Sequence, residues 1–221
     1  MIGLAQKLFS YLFLVILVAV IAFVNWRWPF YNWFGDTPIY RFIWLGIFFI
    51  LFDFTFEILS KALKQVRLMA EAMSFGKDLK KISDGFKVVH NVSLPSHLIA
   101  EYVVVGSSGV WLLSLRDDWG RIKFNGDDLV RDGQALKGLF TGSLEKSYAL
   151  ASFIKEKLGR NFIVSSVIIF LSNKAYLEEV PSNIRGVFIS SRGNAISLIE
   201  NTDIQLIDQK TIEDIVKIFK K

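Results

Sequence analysis

An uninterrupted apolar run near the start of the chain constrains this sequence more than any other feature. No charged residue occurs from Leu8 to Trp26, between Lys7 and Arg27. As an α-helix rising 1.5 Å per residue, the run is about 28 Å long, close to the ~30 Å hydrocarbon thickness of a bilayer. It is too long for the apolar part of a signal peptide, and no small-residue cleavage site follows it. The sequence therefore predicts a transmembrane helix over residues 8–26.

A second apolar segment, at about residues 37–59, predicts a second transmembrane helix. Its uncharged part runs only from Phe42 to Phe52, which is too short to cross a bilayer, so polar groups must lie at the membrane edges. The charged residues at these edges are Arg41, Asp53 and Glu57. Two interpretations of the acidic residues stay open: an interfacial pair bound to Lys61 or Lys64 one turn later, or a buried functional carboxylate at Asp53.

The segment between the two predicted helices has the composition of a hairpin turn at headgroup level. Tryptophan and tyrosine side chains alternate there with Pro29, Gly35 and Pro38. Basic residues instead follow the second helix, beginning with the juxtamembrane residues Lys61, Lys64 and Arg67. Because positive residues mark the cytoplasmic side, both termini are expected in the cytoplasm. Residues 1–60 are thus expected to form a hairpin in the lipid bilayer of the inner or plasma membrane of a prokaryote-like cell.

An apolar stripe continues beyond the second predicted membrane helix. Leu59, Leu63, Val66, Ala70 and Met73 recur at intervals of three and four residues, the spacing of one helix face. This pattern predicts an amphipathic juxtamembrane helix over residues 61–75 that continues the second span and stops at Gly76. Two roles stay open for the stripe: packing on the domain or the bilayer surface, or a short coiled coil that dimerises the protein.

The rest of the chain, residues 76–221, has the size and the pattern of strands and helices of one small α/β domain. Five β-branched runs predict strands: FKVVHNVSL, LIAEYVVV, GVWLLSL, FIVSSVIIFL and RGVFIS. Apolar periodicity predicts helices from Ser143 to Gly159 and from Thr211 to Phe219, the second behind a Thr211-x-x-Asp214 capping box. The order of elements favours a mixed sheet covered by helices. The chain contains no cysteine, which excludes disulfides, thiolate catalysis and cysteine-based zinc sites.

Four stretches resemble the nuclease-related domain (NERD) family over about Gly76 to Lys174. They are KVVHNVSLP, AEYVVVGSSGVWLLSLR, WGRI and SSVIIFLSNKA. The resemblance implies a restriction-endonuclease-like fold. In active members an Asp and a Glu on neighbouring strands bind Mg²⁺, and a Lys orients the attacking water. In this chain the three positions hold Glu101, Ser114 and Arg116. Serine cannot replace an anionic ligand and arginine never supplies a neutral amine, so the resemblance implies a degenerate site with no metal.

Several other motifs have simpler interpretations. Asp117 and Asp118 are candidate replacement ligands, but the DDWG sequence is typical of a solvated turn. The GSSG stretch at 106–109 lies between two strands, so it predicts a hairpin rather than a phosphate-binding loop. NGDD at 125–128 predicts a second hairpin. Ordinary packing or surface roles are expected for both histidines, His90 and His97.

Three functions follow from these features as alternatives. The favoured one is a membrane-anchored, catalytically inactive module without a cofactor, which binds a protein partner or a second copy of itself. The second is an active Mg²⁺-dependent nuclease built on Glu101, and the third is an oligomeric membrane protein in which Asp53 has a role. Nucleic acid is an open partner, although the folded part is near neutral and the sequence contains no clear basic patch.

Overall fold

The computed structural model describes residues 38–94 and 98–219, together with positions 13, 16, 19 and 20; for several residues between 38 and 55 it describes the backbone alone. The chain divides into two compact units, Met1–Met69 and Ala70–Lys221. The first predicted membrane helix lies outside the described residues apart from those four positions, and so do the aromatic turn and His97. Among the described residues, no helix combines the length and the apolar composition that a membrane crossing requires.

A single long helix opens the described part of the chain. Helix α1 runs without a break over Pro38–Leu79, so the apolar stripe of residues 61–75 lies on the same helix as the residues before it. Glu57 forms an ion pair with Lys61 one turn later. The expected stop at Gly76 is wrong, because this glycine lies inside the helix and provides space: a Cβ there would lie 3.0 Å from the Tyr102 hydroxyl.

The remaining described residues form an α/β domain with mixed sheets. In chain order its elements are β1 (Phe86–Ser93), β2 (Ile99–Gly106), β3 (Gly109–Arg116), β4 (Gly120–Phe124), β5 (Leu129–Arg131), β6 (Gln134–Ala135), α2 (Leu139–Leu158), β7 (Val164–Phe170), β8 (Ala175–Leu177), β9 (Asn183–Ile184), β10 (Val187–Ser191), α3 (Ala195–Asn201) and α4 (Gln209–Phe219). The five predicted strands and two predicted helices are confirmed. Both predicted hairpins are also present, between β2 and β3 and between β4 and β5.

The main sheet has six strands in the order β1-β2-β3-β7-β10-β9. Strands β1, β2 and β3 are mutually antiparallel, whereas β3, β7 and β10 run parallel and β9 is antiparallel to β10. The crossover from β3 to β7 is helix α2, as a parallel connection requires. A smaller sheet, in the order β6-β5-β4-β8, was not predicted, because its strands are only two to five residues long.

Both faces of the main sheet are covered. On one face Val103 and Leu112 pack in a cluster with Leu150 of α2 and Ile215 of α4. On the other face the Tyr102 hydroxyl donates a hydrogen bond of 2.9 Å to the Ala72 carbonyl of α1. The small sheet packs its Ile122 and Leu129 into a separate cluster that includes Ile168 and Phe170 of β7. Burial on both sides explains why the central strands are continuous apolar runs rather than alternating ones.

The start of α4 differs from the sequence prediction. The helix begins at Gln209, and Asp208 caps it by accepting a 2.6 Å hydrogen bond from the Thr211 backbone N–H. This hydrogen bond lowers the pKa of the Asp208 carboxyl. The predicted Thr211-x-x-Asp214 capping box is therefore wrong by one turn, and Asp214 instead lies 3.6 Å from Lys217.

Replacing Gly106 tests the packing between β1 and β2. A Cβ at Gly106 would lie 2.1 Å from the ring of Phe86, the residue opposite it in the sheet. Gly106→Ala should therefore lower the free energy of unfolding by about 2 kcal/mol or more, because a buried ring must move. Gly85→Ala is the matched control, since a Cβ at Gly85 would have no neighbouring atom within 4 Å. Urea denaturation of both variants measures the difference, and equal midpoints would contradict it.

Candidate binding site at the carboxyl ends of the parallel strands

The parallel strands β3, β7 and β10 all end at one edge of the main sheet. The Leu171 N–H donates to the Arg116 carbonyl at 2.8 Å, and the Arg192 N–H donates to the Phe170 carbonyl at 3.0 Å. Strand β2 begins at the same edge because it runs antiparallel to β3. The edge thus brings together Glu101, Ser114 and Arg116, the three positions singled out by the family resemblance. Ligands of α/β proteins commonly bind at such an edge.

Ser114 lies beneath helix α2. The buried Ser143 hydroxyl of α2 donates a 3.1 Å hydrogen bond to the Ser114 hydroxyl. Ser147, one turn later, donates back to the Ser143 carbonyl at 2.8 Å. The position where the resemblance places a metal-binding Glu is therefore occupied by a neutral hydroxyl pair that fastens the helix to the sheet.

Arg116 belongs to a buried ion-pair cluster with Asp118 and Arg131. The Asp118 side chain is only 2% exposed. Its Oδ2 accepts from Arg116 Nε at 2.8 Å and from Nη2 at 2.7 Å, and its Oδ1 accepts from Arg131 Nη1 at 3.2 Å. The expected solvated turn is wrong for both acidic residues, since Asp117 is buried as well. The sequence could not show this arrangement, because Arg131 comes from strand β5 of the small sheet.

These donors do not fit a magnesium ion. Mg²⁺ is held in proteins by carboxylate oxygens, water and substrate phosphates in octahedral geometry. Glu101 is partly exposed and lies one residue before the Tyr102–Leu113 pair that ends the β2–β3 register. Ser114 is neutral, and both oxygens of Asp118 already bind arginines. Within the part of the chain that the structure describes, no three His, Asp or Glu side chains converge into a metal-binding group.

A cavity of about 540 Å³ opens at the same edge, beyond β7 and β10. Its polar lining comes from the end of α1, the following turn and the residues after the two strands: Asp78, Lys81, Ser172, Asn173, Ser191 and Arg192. This volume is in the range of small-molecule sites. The two cationic side chains outnumber the single carboxylate, so the cavity favours an anionic group.

Arg192 is held in a fixed orientation in this cavity. Its Nε donates to Asp78 Oδ2 at 3.0 Å and its Nη2 donates to the Ser74 hydroxyl at 2.8 Å. The hydrogen bond from Arg192 lowers the pKa of the Asp78 carboxyl. Among the described residues, Nη1 of Arg192 has no hydrogen-bond partner, so its two N–H groups are available to a ligand. Sequence reasoning missed this site because Asp78 and Arg192 are 114 positions apart.

His90 has the packing role expected of it. Its ring lies edge-on to Tyr102 with the ring centres 4.8 Å apart. Partial burial, and secondarily the nearby charge of Lys80, lower the pKa of His90. It lies on the α1 side of the sheet with Tyr102, away from Ser114.

No protein-family model matches the chain, and comparison with curated proteins gives no significant match. The resemblance to the NERD family therefore stays a prediction drawn from the strand landmarks.

Removing the Asp118 carboxylate should destabilise the domain. Asp118→Asn leaves two partly buried arginines without their anion, and we expect a loss of about 2 kcal/mol in the free energy of unfolding. Asp127→Asn is the matched control, because Asp127 pairs with Arg185 on the exposed surface and such pairs contribute about 0–1 kcal/mol. Chemical denaturation compares the two variants, and similar small losses would show that Asp118 is not structurally required.

The Asp78–Arg192 pair should stabilise the domain in a pH-dependent way. Because the pKa of Asp78 is lowered on folding, its contribution is fully present above the ordinary Asp pKa of about 4 and disappears as pH falls through the lower folded value. Arg192→Gln should therefore reduce stability at pH 7, with the difference from the unmodified protein shrinking below about pH 4. Urea midpoints measured from pH 7 to pH 3 give this profile. A difference that is constant with pH would rule out the pair as its cause.

Proposed function

We propose that this chain is a membrane-anchored, NERD-like module that has lost metal-dependent catalysis and acts by binding. The observation that carries the proposal is the state of the sheet edge where the family's chemistry takes place. There the buried carboxylate of Asp118 binds two arginines, and the hydroxyl of Ser114 binds Ser143. A hydrolase of this type needs at least two carboxylates free to hold a metal ion.

The order of elements supports the restriction-endonuclease-like part of the proposal. The end of α1 is followed by three antiparallel strands, by the crossover helix α2 and by β7, which lies parallel to β3. This succession is what the family resemblance implies. It brings Glu101 and Arg116 to one edge from different strands, as the fold of the nucleases requires.

The sequence supports the membrane anchor. The uncharged run over residues 8–26 has the length of a bilayer crossing, and the basic residues that follow the apolar segment at about residues 37–59 favour a hairpin with both termini in the cytoplasm. Asp53 and Glu57 would then lie at the cytoplasmic edge, where Glu57 binds Lys61.

The cavity at the sheet edge supports a binding role. Arg192 is oriented by Asp78 and Ser74 and keeps two N–H groups available, and Nζ of Lys81, whose side chain is 78% exposed, lies 3.7 Å from the same Asp78 carboxylate. A fixed guanidinium and an exposed ammonium that share one carboxylate leave a net positive charge, which suits a carboxylate or a phosphate. We therefore expect the bound partner to present an anionic group at this edge.

The catalytic half of the proposal predicts the absence of nuclease activity. The purified full-length chain should not cleave DNA or RNA with Mg²⁺ or Mn²⁺, because one carboxylate and a serine cannot hold a hard divalent cation against water. Glu101→Gln should leave any background unchanged. A gel-based cleavage assay measures this. Metal-dependent cleavage that is abolished by Glu101→Gln would overturn the proposal in favour of a working nuclease.

A triple variant designed to bind a metal ion is the matched comparison for the unmodified chain. Glu101→Asp, Ser114→Glu and Arg116→Lys together rebuild the ligand set that the resemblance implies. Mn²⁺ binding by this triple variant, and none by the unmodified chain, would identify the lost side chains as the reason for inactivity. The new Glu must replace the hydroxyl pair with Ser143, so combining it with Ser143→Gly should increase Mn²⁺ binding.

A further inference from the structure

Helix α1 carries an apolar stripe that the described part of the protein leaves uncovered. Its five large side chains are between 42% and 64% exposed. They are Phe56, Leu59, Leu63, Val66 and Met73. The neighbouring stripe of the same helix, which includes Ile58, Ala62 and Ala72, is buried. The exposed stripe is therefore a second apolar face of α1.

The stripe has the spacing of a coiled-coil seam. Together with the exposed Ala70, its residues follow one another at alternating steps of three and four. Positions a of the heptad are then Phe56, Leu63 and Ala70, and positions d are Leu59, Val66 and Met73. Every charged residue in this stretch lies off the seam: Glu57, Lys61, Lys64, Arg67 and Glu71. A mean spacing of 3.5 residues is suited to a second helix that supercoils around the first.

We propose that this stripe is the interface of a parallel homodimer, with the same stripe of a second copy as its occupant. The proposal rests on the membrane anchor proposed above, because copies anchored in one membrane share one orientation and bring identical stripes together in register. An unbroken helix that leaves the membrane along its own axis carries Leu63 and Val66 into water rather than into lipid. A second copy removes these side chains from water.

The charges that flank the seam and the area that a dimer would bury are both compatible with parallel pairing. In a parallel dimer the residue at position g faces the residue at position e of the next heptad in the partner helix. Here Ala62 faces Arg67 of the second copy and Met69 faces Ser74 of the second copy, so no like charges meet. Five half-exposed side chains from each helix bury on the order of 1,000 Å² in total, near the lower limit of specific interfaces.

The absence of cysteine from the chain allows a direct test by disulfide cross-linking in the full-length protein. Leu63→Cys and Val66→Cys place a thiol on the seam, whereas the matched controls Lys61→Cys and Lys64→Cys place one on the outer surface of the same turns. In liposomes under mild oxidation, the seam variants should form covalent dimers at least fivefold faster than the controls. Equal rates at all four positions, or no dimer at any of them, would overturn the proposal.

Native mass spectrometry of the protein in nanodiscs gives a second, independent measurement. Leu63→Glu should convert the dimer to monomer, while Lys64→Glu should leave it intact.

An environment-sensitive fluorophore attached to the Leu63→Cys variant tests whether lipid covers the stripe instead of a second copy. Emission typical of a lipid environment from a monomeric protein would show that the bilayer covers the stripe, and it would overturn the dimer.

Liposome flotation measures membrane binding, and it therefore distinguishes a failure of the dimer from a failure of the proposed membrane anchor. A chain that floats with liposomes but stays monomeric overturns the dimer and leaves the anchor standing. A chain that does not float overturns the anchor and, with it, the stated reason for parallel pairing. The nuclease assay bears on the catalytic half of the proposed function alone.

Discussion

Burial of both faces of β2, β3 and β7 is the constraint on which the rest of the domain depends. Trp111 and Leu112, consecutive residues of β3 that face opposite sides of the sheet, have no exposed surface, so each side of the sheet must be covered. One face takes α2 and α4, and the other takes the end of α1. A sheet covered in this way has its free polar groups at the ends of its strands, where the candidate site lies.

At that edge, arginine–carboxylate pairs link neighbouring elements of the fold. Asp118 is almost completely buried and binds both Arg116 and Arg131, so it links the end of β3 in the main sheet to β5 in the small sheet. Asp78 and Arg192 link the end of α1 to the residues after β10 in the same manner. A carboxylate held between arginines orders its neighbours, but its oxygens are not free to bind a metal ion.

The same edge carries the residues on which the proposed loss of catalysis depends. The three positions that the resemblance singles out, Glu101, Ser114 and Arg116, lie at the strand ends of this edge. Ser143 of α2 donates a hydrogen bond directly to Ser114, so the Ser114 hydroxyl is engaged by the helix above it. The adjoining cavity, with Arg192 held in place, is left as the part of the edge suited to an anionic partner.

The sequence by itself determined the parts of the protein that depend on local pattern. Apolar runs identified the five long strands, and apolar periodicity identified α2, α4 and the exposed stripe of α1, because burial imposes these patterns directly on the chain. The sequence also shows, without coordinates, a serine at position 114, where the resemblance leads us to expect a Glu. Only the tertiary structure decided which partners the charged groups take. Asp118 was expected in water and lies buried, and Arg192 was not recognised at all, because ion pairs between distant segments leave no periodic signal. Apart from its hairpin between β4 and β5, the small sheet was missed, because strands of a few residues are fixed by the surface they pack against rather than by their own sequence.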